Sequence, residues 1–487
     1  MDANAETELK FLVPANARSA LAAELAARGT AQRTRLTATY FDTADQRLAR
    51  AGLAWRVRRE GGRWIQALKM AGADALERFE HEVVRPNGSP DAQAHADTLP
   101  GRRLLELLAD QPVAPRFETR VWRLTRRVRT RGAVVDIALD EGRVTAGDAA
   151  LPIREVEFEL VSGSPAALLA LVARWRQRFG LILDPHNKAE RGHRLAAGVA
   201  HAPLRKAKAP RFDRDANPPY AFAAVFDECL TQVSRNAAGL ADGDAEQRAG
   251  HVHQMRVGIR RLRSALRAFR GWVEEPPAEL VDGLRTLFAA LGRARDQDVL
   301  GSGVAAELAR VGAPSLALPV DGDAPDPADL IRGDATQQLL LACIAWRAGL
   351  APAAEPQAAL KPLARRRLRR WHGSIVQRCQ AFDELDAAAL HALRKHIKRQ
   401  RYVLEFFAPL LPHKRAARQL KALAAAQHAL GVVNDLVVAR ERYQALVATD
   451  PAAWFAVGWL TARAGEAREA ARGALARLAA IEPLPGK

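Results

Sequence analysis

Cysteine is scarce in this chain of 487 residues, which has three. Cys229, Cys343 and Cys379 lie far apart and show neither metal-ligand nor redox spacing, which argues against a disulfide framework and a thiolate metal site. We expect all three to be small core residues. The sequence also lacks an apolar run long enough to span a bilayer, and its first residues do not resemble a signal peptide. We therefore expect a cytoplasmic protein without a membrane partner.

Negative charge is also in short supply. The chain has 55 acidic residues against 73 lysines and arginines, for a formal net charge of +18. Such a protein is expected to attract polyanions, and nucleic acid, anionic lipid, nucleotides and phosphate polymers all remain open. The content of 48% hydrophobic and 26% charged residues is typical of a soluble globular protein, and the length allows two or three domains.

The first 200 residues contain a series of predicted strands that carry charge on one face only. In the opening strand, Glu6, Glu8 and Lys10 share one face, while Leu9 and Phe11 lie on the other. The alternation recurs in further basic and acidic stretches: Arg56 and Arg58, Lys69, Arg78 with Glu80 and Glu82, Arg123, Asp140, and Glu155 with Glu157 and Glu159. An open sheet with one solvated face explains any single strand, but not the sorting of charges into acidic and basic strands. Metal-assisted phosphoryl chemistry needs that sorting, because carboxylates hold the metal while arginines and lysines bind phosphate oxygens.

With these residues the segment resembles the CYTH domain of the triphosphate tunnel metalloenzyme superfamily. The resemblance rests on motifs that occur in the family's order: Glu6-x-Glu8-x-Lys10, Tyr40-Phe41-Asp42-Thr43, Arg56-x-Arg58, Lys69, Arg78-x-Glu80, Arg123, Asp140-Glu141-Gly142, Glu155-x-Glu157-x-Glu159 and Asn187-Lys188-Ala189-Glu190-Arg191-Gly192. It implies an eight-stranded antiparallel tunnel that binds a linear triphosphate and hydrolyses it with a divalent metal, Mg²⁺ or Mn²⁺.

The resemblance also implies roles for individual residues. The implied metal ligands are Glu6, Glu8, Asp140, Glu157 and Glu159. The implied substrate-binding residues are Lys10, Arg56, Arg58, Lys69, Arg78, Arg123 and Lys188. Glu157, Glu159 and Lys188 are the implied catalytic residues. Glu155, Glu80 and Glu82 either belong to the site or only face the tunnel.

A proline-rich, basic segment at 201–219 is the predicted linker between this domain, 1–200, and a helical domain, 220–487. In the helix predicted for 251–270, apolar residues recur in steps of three and four and form one stripe. A second stripe beside it is entirely basic: His253, Arg256, Arg260, Arg263 and Arg267. Because an all-positive stripe repels itself, its simplest use is to bind an anionic partner.

The same pattern recurs farther along the chain, where His391, Arg394, Lys398 and Arg401 repeat the spacing of the first four residues of that stripe. Leu291-Gly292 and Leu430-Gly431 follow the two helices at nearly the same distance and are expected to form turns. These features predict a duplication, with halves at about 220–312 and 336–487 separated by a loop at 313–329. We expect a pseudo-symmetric bundle in which two basic helices face each other.

Two histidines and three aspartates in this half invite a metal-binding interpretation. No carboxylate or cysteine stands at ligand spacing beside His253 or His391, so we expect them to face an anion or to be hydrogen-bonded. We expect the aspartates to form ion pairs that position arginines: Asp296, Asp298 and Asp435.

The duplicated stretches resemble the CHAD domain, an α-helical module, over roughly residues 215–480. The resemblance implies a basic central pore for inorganic polyphosphate, lined by His253, Arg256, Arg260, Arg263, Arg267, His391, Arg394, Lys398 and Arg401. The predicted fold class is therefore α+β, with an N-terminal eight-stranded antiparallel barrel followed by an all-α bundle that has an internal two-fold repeat.

The two resemblances together predict a metal-dependent inorganic triphosphatase, which converts tripolyphosphate into pyrophosphate and phosphate, fused to a polyphosphate-binding domain. Two alternatives stay open: nucleoside or thiamine triphosphate hydrolysis or adenylate cyclisation in the same tunnel, and a non-catalytic polyphosphate-binding scaffold. The lack of aromatic residues within the basic stripe of the first helix argues against nucleic-acid binding. We expect inorganic triphosphate and long-chain polyphosphate as partners, no protein partner, and an association with polyphosphate granules.

Overall fold

The fold is that of a computed structural model, which describes residues 5–27, 29–72, 74–109, 111–243, 245–299, 304–316, 325–350 and 359–483. The chain forms two compact units. The first, called the barrel unit, comprises Met1–Lys206, Thr231–Met255 and Pro327–Leu350. The second, called the helical unit, comprises Ala207–Leu230, Arg256–Asp326 and Ala351–Lys487. Both units take segments from beyond the predicted linker, and the domain boundaries at 200 and 220 stay a prediction.

Eight antiparallel strands close into a barrel, which confirms the predicted architecture of the N-terminal part. They are β1 (Ala5–Leu12), β2 (Gln32–Thr43), β3 (Leu53–Glu60), β4 (Arg63–Ala71), β5 (Glu77–Arg85), β6 (Val113–Thr130), β7 (Ala133–Ala146) and β8 (Ala149–Gly163). Hydrogen-bonded neighbours follow the order β5-β4-β3-β2-β6-β7-β8-β1, and β1 pairs again with β5, which closes the sheet. Closure turns one face of every strand toward a common interior. A two-residue strand, β9 (Ile182–Leu183), pairs with the end of β1.

Five short helices accompany the barrel strands: α1 (Arg18–Ala26), α2 (Arg47–Ala51), α3 (Leu99–Leu108), α4 (Pro165–Phe179) and α5 (Lys188–Ala196). Apolar side chains of β3 and β4 pack with α2 and α3 in one core cluster, which includes Trp55, Leu68 and Leu104. A second core cluster joins α5 to strands β2, β6, β7 and β8: Leu36, Ala38, Tyr40, Phe117, Val121, Val144, Ile153, Ala189 and Leu195. Helix α5 is thereby fixed to the strands that carry the predicted site residues.

The rest of the described chain is helical, as predicted. The helices are α6 (Pro218–Asp242), α7 (Arg248–Ala268), α8 (Ala278–Val299), α9 (Ala305–Arg310), α10 (Pro327–Arg332), α11 (Asp334–Gly349), α12 (Leu360–Gln380), α13 (Ala387–Phe406), α14 (His413–Leu446) and α15 (Ala453–Ala479). One of them, α14, is long and apolar enough to cross a bilayer by length and composition. Its buried residues, among them Leu423, Leu430 and Leu436, recur at the spacing of a helix that packs one face into a bundle.

The apolar and cysteine predictions for these helices are confirmed. In the predicted stripe of α7, Met255, Ile259 and Leu262 are fully buried, and all three cysteines are buried and free. The predicted turns at Leu291-Gly292 and Leu430-Gly431 are wrong, because both glycines lie inside helices, α8 and α14. Of the loop predicted at 313–329, residues 317–324 lie outside the described residues, and Pro327 already begins α10.

The two glycines inside helices lie beside arginines of the basic stripes. A Cβ atom at Gly292 would lie 2.4 Å from Nη1 of Arg256, and one at Gly431 would lie 3.8 Å from Nη2 of Arg394. Arg256 and Arg394 are also the two residues that the predicted duplication makes equivalent. A glycine in a turn and a glycine that makes room for a neighbouring side chain look the same in sequence, which explains the wrong prediction.

A buried histidine in the barrel unit predicts a pH-dependent stability. Gln66 Nε2 donates to His95 Nε2 at 3.0 Å, so the neutral His95 ring carries its proton on Nδ1, which lies 2.8 Å from His81 Nδ1. Burial, followed by the neighbouring His81, lowers the pKa of His95 to about 4. Because the unfolded chain binds this proton near pH 6.5, the contribution is complete above pH 6.5 and is lost as the pH falls toward 4.

We therefore expect the wild-type free energy of unfolding to fall by up to about 3 kcal/mol between pH 6.5 and 4 through this one group. In His95→Gln that part of the pH dependence should disappear, as measured by urea unfolding across the same range. His413→Gln, at an exposed position, is the matched control and should keep the wild-type slope. An unchanged slope in His95→Gln would contradict the assignment.

Candidate active site

Strand register brings the predicted charged residues to the interior of the barrel. Glu8 and Lys10 of β1 lie directly opposite Glu159 and Glu157 of β8. Across the next pair, Asp140 of β7 lies opposite Glu155, and Arg123 of β6 lies opposite Asp140. On the other side of the barrel, Lys69 lies opposite Glu80, and Glu6 lies opposite Arg78. Directly opposed residues share a face of the sheet, so strands far apart in sequence present their charges to one interior.

Lys188 stands at the centre of the most buried group of charges, which we call the lysine-centred cluster: Lys188, Arg123, Asp140, Glu155 and Glu157. The Lys188 ammonium lies 2.7 Å from Asp140, 2.5 Å from Glu155 and 2.8 Å from Glu157. Arg123 donates two hydrogen bonds of 2.7 Å to Asp140 and one of 2.6 Å to Glu157. Lys10 lies 3.6 Å from Glu155. Asp140 and Glu155 are fully buried, so these contacts compensate carboxylates that water does not reach.

The start of α5 determines the position of Lys188. The Asn187 side chain accepts a hydrogen bond of 2.8 Å from the Glu190 backbone N–H and so caps the helix, which makes Lys188 its first residue. One turn later, Gly192 lies directly against β6, where an added Cβ would be 2.0 Å from the Phe117 ring. Phe117 in turn stacks on Tyr40 with ring centroids 4.4 Å apart. In the predicted motif 187–192, Asn187 thus caps the helix, Lys188 supplies the cation, and Gly192 allows the helix to pack closely against β6.

Opposite charges within the lysine-centred cluster shift the pKa values of Glu157, Asp140 and Lys188. Burial alone would raise the pKa of Glu157, but Lys188 and Arg123 keep it well below its ordinary value. Burial would also raise the pKa of Asp140, but Lys188 and Arg123 lower it. The carboxylates conversely hold the pKa of Lys188 well above its usual range although the side chain is buried. At neutral pH Glu157 and Asp140 are therefore ionised, and Lys188 is a cation, not a free base.

A second network, the arginine wall, lines the barrel on β3, β4 and β5: Arg56, Arg58, Lys69, Glu80 and Glu82. Arg56 lies 3.2 Å from Glu80 and donates to the Tyr40 hydroxyl at 3.4 Å, and Arg58 lies 3.2 Å from Glu82. Lys69 forms an ion pair with Glu80. Two of the three glutamates that the sequence left open, Glu80 and Glu82, are thus the counter-ions of three predicted phosphate-binding residues.

Three predicted metal ligands, Glu6, Glu8 and Glu159, lie apart from the lysine-centred cluster and carry less compensating charge. Burial, opposed by Lys69 and reinforced by Glu80 and Glu159, raises the pKa of Glu6 to about 8. Burial also raises the pKa of Glu159, with Glu8 and Glu80 adding to the effect. Glu8 lies 3.5 Å from Arg78. The raised pKa values of Glu6 and Glu159 show that ionisation of these carboxyl groups is unfavourable here, and an added cation would favour it.

The donor set in the barrel fits a hard divalent cation. Asp140, Glu155 and Glu157 each offer an oxygen, and the three oxygens lie within 4.8 Å of one another. Carboxylate-only ligation suits Mg²⁺ or Mn²⁺ rather than a soft metal. A cation at these three residues would displace the Lys188 ammonium. A cation at Glu6, Glu8 and Glu159 would instead meet carboxylates that have fewer cations in contact with them. The predicted ligands therefore fall into two neighbouring sets, with Glu155 joining the first.

Sequence reasoning did not identify the layer behind the cluster. Arg191, one turn after Lys188 on α5, donates to Glu155 at 3.0 Å and also forms an ion pair with Asp184. Asp184 in turn accepts a hydrogen bond of 2.9 Å from the backbone N–H of His186. Asp184 and Arg191 thus fix the Glu155 carboxylate that Lys188 contacts. Only the i, i+3 spacing of Lys188 and Arg191 within one helix could have indicated that both reach the same carboxylate.

In the helical unit, three arginines of the predicted basic stripe converge on one aromatic ring. The guanidinium carbons of Arg256, Arg260 and Arg263 lie 4.5, 5.2 and 5.8 Å from the centre of the Phe288 ring. Burial and then Arg267, Arg285 and Arg260 lower the pKa of Arg263. The ring holds several like charges together without supplying a counter-ion.

Charges of the second basic helix, α13, lie close enough to those of α7 to act on them. Burial lowers the pKa of Arg394, and Arg260 of α7 adds to the effect while Asp435 opposes it. Burial, Arg267 and Arg263 lower the pKa of Arg399 to about 10. Like charges from the two helices therefore act on each other, while the predicted pseudo-symmetric arrangement stays a prediction.

The remaining residues that were predicted to line the polyphosphate-binding pore, and the aspartates predicted to position them, differ in their surroundings. Arg401 pairs with Glu405 at 2.6 Å, and Asp435 lies 3.9 Å from Arg394, as predicted for an aspartate that positions an arginine. Lys398 is half-buried on α13, and His391 is hydrogen-bonded by Asn434. His253 belongs to the segment Thr231–Met255 of the barrel unit. The side chains of Asp296 and Asp298 lie outside the described residues.

Comparison with protein families identifies both halves of the chain. The family model of the CYTH domain matches residues 4–193, and that of the CHAD domain matches residues 224–444. An inorganic triphosphatase of Haemophilus influenzae is 27% identical over 164 residues, which are 33% of this chain and 45% of the relative. An uncharacterized protein of Mycobacterium tuberculosis is 29% identical over 296 residues, 56% of this chain and 53% of the relative. The chain spans about half the length of these curated relatives.

Two solved structures resemble separate parts of the chain. The CHAD domain of Ricinus communis is 32% identical, with 58% of this chain and 99% of that chain covered and a TM-score of 0.48. A protein from Hippeastrum, assigned as an adenylyl cyclase and described as having a dominant triphosphatase activity, is 17% identical. The comparison covers 40% of this chain and 96% of that chain, with a TM-score of 0.29.

Removal of the Lys188 ammonium should leave the carboxyl groups that it contacts without their common partner. In Lys188→Met, three buried or partly buried carboxyl groups lose a common partner, and we expect a loss of about 3–5 kcal/mol in the free energy of unfolding. Because the same carboxylates then attract a cation more strongly, Mn²⁺ should raise the melting temperature of Lys188→Met more than that of wild type. Thermal unfolding with and without Mn²⁺ measures both effects. Lys414→Met, at an exposed lysine, is the control, and an equal Mn²⁺ response in all three proteins would contradict the prediction.

Proposed function

Since the chain belongs to the proteins that combine a CYTH domain with a CHAD domain, we propose that it is a metal-dependent inorganic triphosphatase with a polyphosphate-binding helical unit. Its substrate is inorganic triphosphate, which it converts into pyrophosphate and phosphate. The observation that carries the proposal is the pairing of the arginine wall with the lysine-centred cluster inside one closed barrel. Such an interior offers cations to phosphate oxygens on one side and carboxylates to a divalent metal on the other.

The charge balance of the barrel supports a metal requirement. Every cation of the proposed site faces carboxylates at contact distance or in the adjacent strand, so the interior has little positive charge to spare. A triphosphate brings several negative charges, and transfer of uncompensated charge into a protein interior is unfavourable. Mg²⁺ or Mn²⁺ held by Glu6, Glu8 and Glu159, or by Asp140, Glu155 and Glu157, would neutralise phosphate oxygens and orient the attacking water.

The protein's own residues bind and orient the substrate. Arg56, Arg58 and Lys69 bind phosphate oxygens in place of Glu80 and Glu82, which hold these cations in position while substrate is absent. The other proposed phosphate-binding residues come from four separate elements: Lys10, Arg78, Arg123 and Lys188. Lys188 remains protonated, and its ammonium stabilises charge on the phosphate at which hydrolysis occurs. Glu157 links Lys188 and Arg123 and fixes their direction, and Glu159 belongs to the metal-binding set.

The proposed role of the arginine wall is testable with neighbouring residues of one strand. Arg58 points into the barrel, whereas Arg59 is exposed and lies against the Trp64 ring at 5.8 Å. Arg58→Ala should lower kcat/KM for tripolyphosphate by about 100-fold, the usual cost of removing one charge-stabilising donor. Arg59→Ala should stay within about twofold of wild type because it leaves the interior unchanged. Phosphate release with Mg²⁺ or Mn²⁺ is the measurement.

Three further arms separate the alternatives. Glu157→Gln should abolish turnover if the lysine-centred cluster belongs to the active site. An ATP arm distinguishes inorganic from organic triphosphates, and faster hydrolysis of ATP than of tripolyphosphate would favour a nucleoside triphosphatase. If well-folded wild type hydrolyses no triphosphate with either metal, the enzyme proposal fails and a polyphosphate-binding scaffold remains.

For the helical unit, the proposal is supported by like charges of two helices that lie close enough to act on each other. Arg260 of α7 and Arg394 of α13 act on each other as like charges, and burial lowers the pKa of Arg394. A phosphate chain between α7 and α13 would relieve this repulsion. Because such a chain has a repeating charge and no bases, the basic stripe of α7 needs no stacking aromatics.

Arg260→Ala and Arg394→Ala should each weaken binding of long-chain polyphosphate about tenfold, as expected for loss of one charge-assisted contact. Each should also flatten the dependence of affinity on salt, because fewer counter-ions are released on binding. Fluorescence anisotropy of labelled polyphosphate over a salt series measures both quantities. Arg463→Ala on α15, where Arg463 pairs with Glu466, is the control and should change neither.

A further inference from the structure

A cavity of about 1010 Å³ lies in the barrel unit, outside the proposed active site. Its walls come from the segment that follows β1, from β8, from the end of α4, from α5 and from residues 238–242. None of the proposed phosphate-binding or metal-binding residues lines it. The volume is that of a site for a ligand of metabolite size, not of a packing defect.

The charge lining this cavity is predominantly positive. Five arginines line it, against two carboxylates, Asp184 and Asp242: Arg154, Arg178, Arg191, Arg194 and Arg332. Arg178 pairs with Glu24 and Arg191 with Asp184, but no carboxylate lies within 4.0 Å of the Arg194 guanidinium among the residues that the structure describes. The Nε of Arg194 is buried and has no hydrogen-bond partner in that part of the chain. Asp242 acts on Arg194 from beyond contact distance, and a phosphate group in this basic cavity would give the guanidinium a direct anionic partner.

Asn16, His186 and His201 also line the cavity, and most of the remaining wall is apolar. Leu12, Pro14, Phe179 and Ile182 contribute hydrocarbon surface, and Phe179 also carries the Arg178 guanidinium over its ring at 5.0 Å. Inorganic phosphate has no apolar portion that could contact this part of the lining. A phosphate ester with a flat or apolar portion fits both parts of the lining.

We propose that this cavity binds a nucleotide-sized phosphate ester, with Arg194 bound to its phosphate and the apolar wall in contact with its organic portion. The site is distinct from the tunnel and does not require hydrolysis of the ligand.

The cavity also has a direct connection to the lysine-centred cluster. Arg191 lines the cavity and donates to Glu155 at 3.0 Å, and Glu155 lies 2.5 Å from the Lys188 ammonium. A phosphate that draws Arg191 into the cavity weakens its bond to Glu155 and changes the charge around Lys188. Ligand in the cavity is therefore coupled to triphosphate binding in the tunnel. Only this coupling rests on the proposed function.

The test is calorimetric titration of AMP into the full chain in EDTA, with inorganic phosphate as the second ligand. AMP lacks a triphosphate, and inorganic phosphate lacks an apolar portion. We expect AMP to bind with at least tenfold higher affinity than phosphate. Arg194→Ala should weaken AMP binding at least tenfold, and Arg56→Ala in the tunnel should leave it within twofold. Ala20→Trp, on the exposed part of α1 that borders the cavity, should weaken it by filling the space.

Several results would overturn the site: no binding of AMP, affinity for phosphate equal to that for AMP, or loss of binding in Arg56→Ala but not in Arg194→Ala and Ala20→Trp. The coupling is tested by titrating tripolyphosphate with and without AMP, where we expect a change in affinity of at least about fivefold. An unchanged affinity overturns the coupling. If tripolyphosphate does not bind at all, the proposed function fails while the AMP result stands on its own.

Discussion

One ammonium group compensates three carboxylates in the interior of the barrel, and the arrangement of the site depends on it. Asp140, Glu155 and Glu157 come from two adjacent strands, and without a cation their mutual repulsion and desolvation would cost several kcal/mol. Lys188 reaches all three because Asn187 caps α5 and Gly192 allows that helix to lie against Phe117. The glycine, the cap and the aromatic contact thus all help to place the Lys188 ammonium against these carboxylates.

The two units differ in how their positive charges are compensated. In the barrel each cation of the proposed site has a carboxylate partner, and Glu80 and Glu82 occupy Arg56 and Arg58 as a phosphate would. In the helical unit, Arg263 and Arg399 lie among other arginines, and their pKa values are lowered by burial and by neighbouring positive charge. An anion therefore relieves repulsion in the helical unit, whereas in the barrel it must replace existing ion pairs. The first arrangement favours binding of any long polyanion, and the second favours a ligand that brings its own cation.

The alternation of side chains along strands was enough to predict which residues share a charged face, whereas the eight-stranded barrel was implied by the resemblance to the CYTH domain. Glu6, Glu8 and Lys10 needed only the two-residue period of a strand, and the motif order supported closure of the sheet. The pairing of Lys69 with Glu80, or of Arg123 with Asp140, depends on register between strands, which sequence periodicity does not contain. Glu155 shows the limit most clearly: its parity placed it in the interior, but its contact with Lys188 follows from the docking of α5.

Glycine was misinterpreted for a related reason. Gly292 and Gly431 were predicted to form turns because glycine is common there, yet each lies inside a helix beside an arginine of a basic stripe. An added Cβ at Gly431 would lie at ordinary contact distance from Arg394, whereas at Gly292 it would lie 2.4 Å from Arg256, so Gly292 makes room for a side chain from another helix. The same logic applies to Gly192, where the approaching group is the Phe117 ring. In this protein the local pattern predicts which side chains carry charge, while the small residues that let those charges converge become intelligible only once the partner elements are in place.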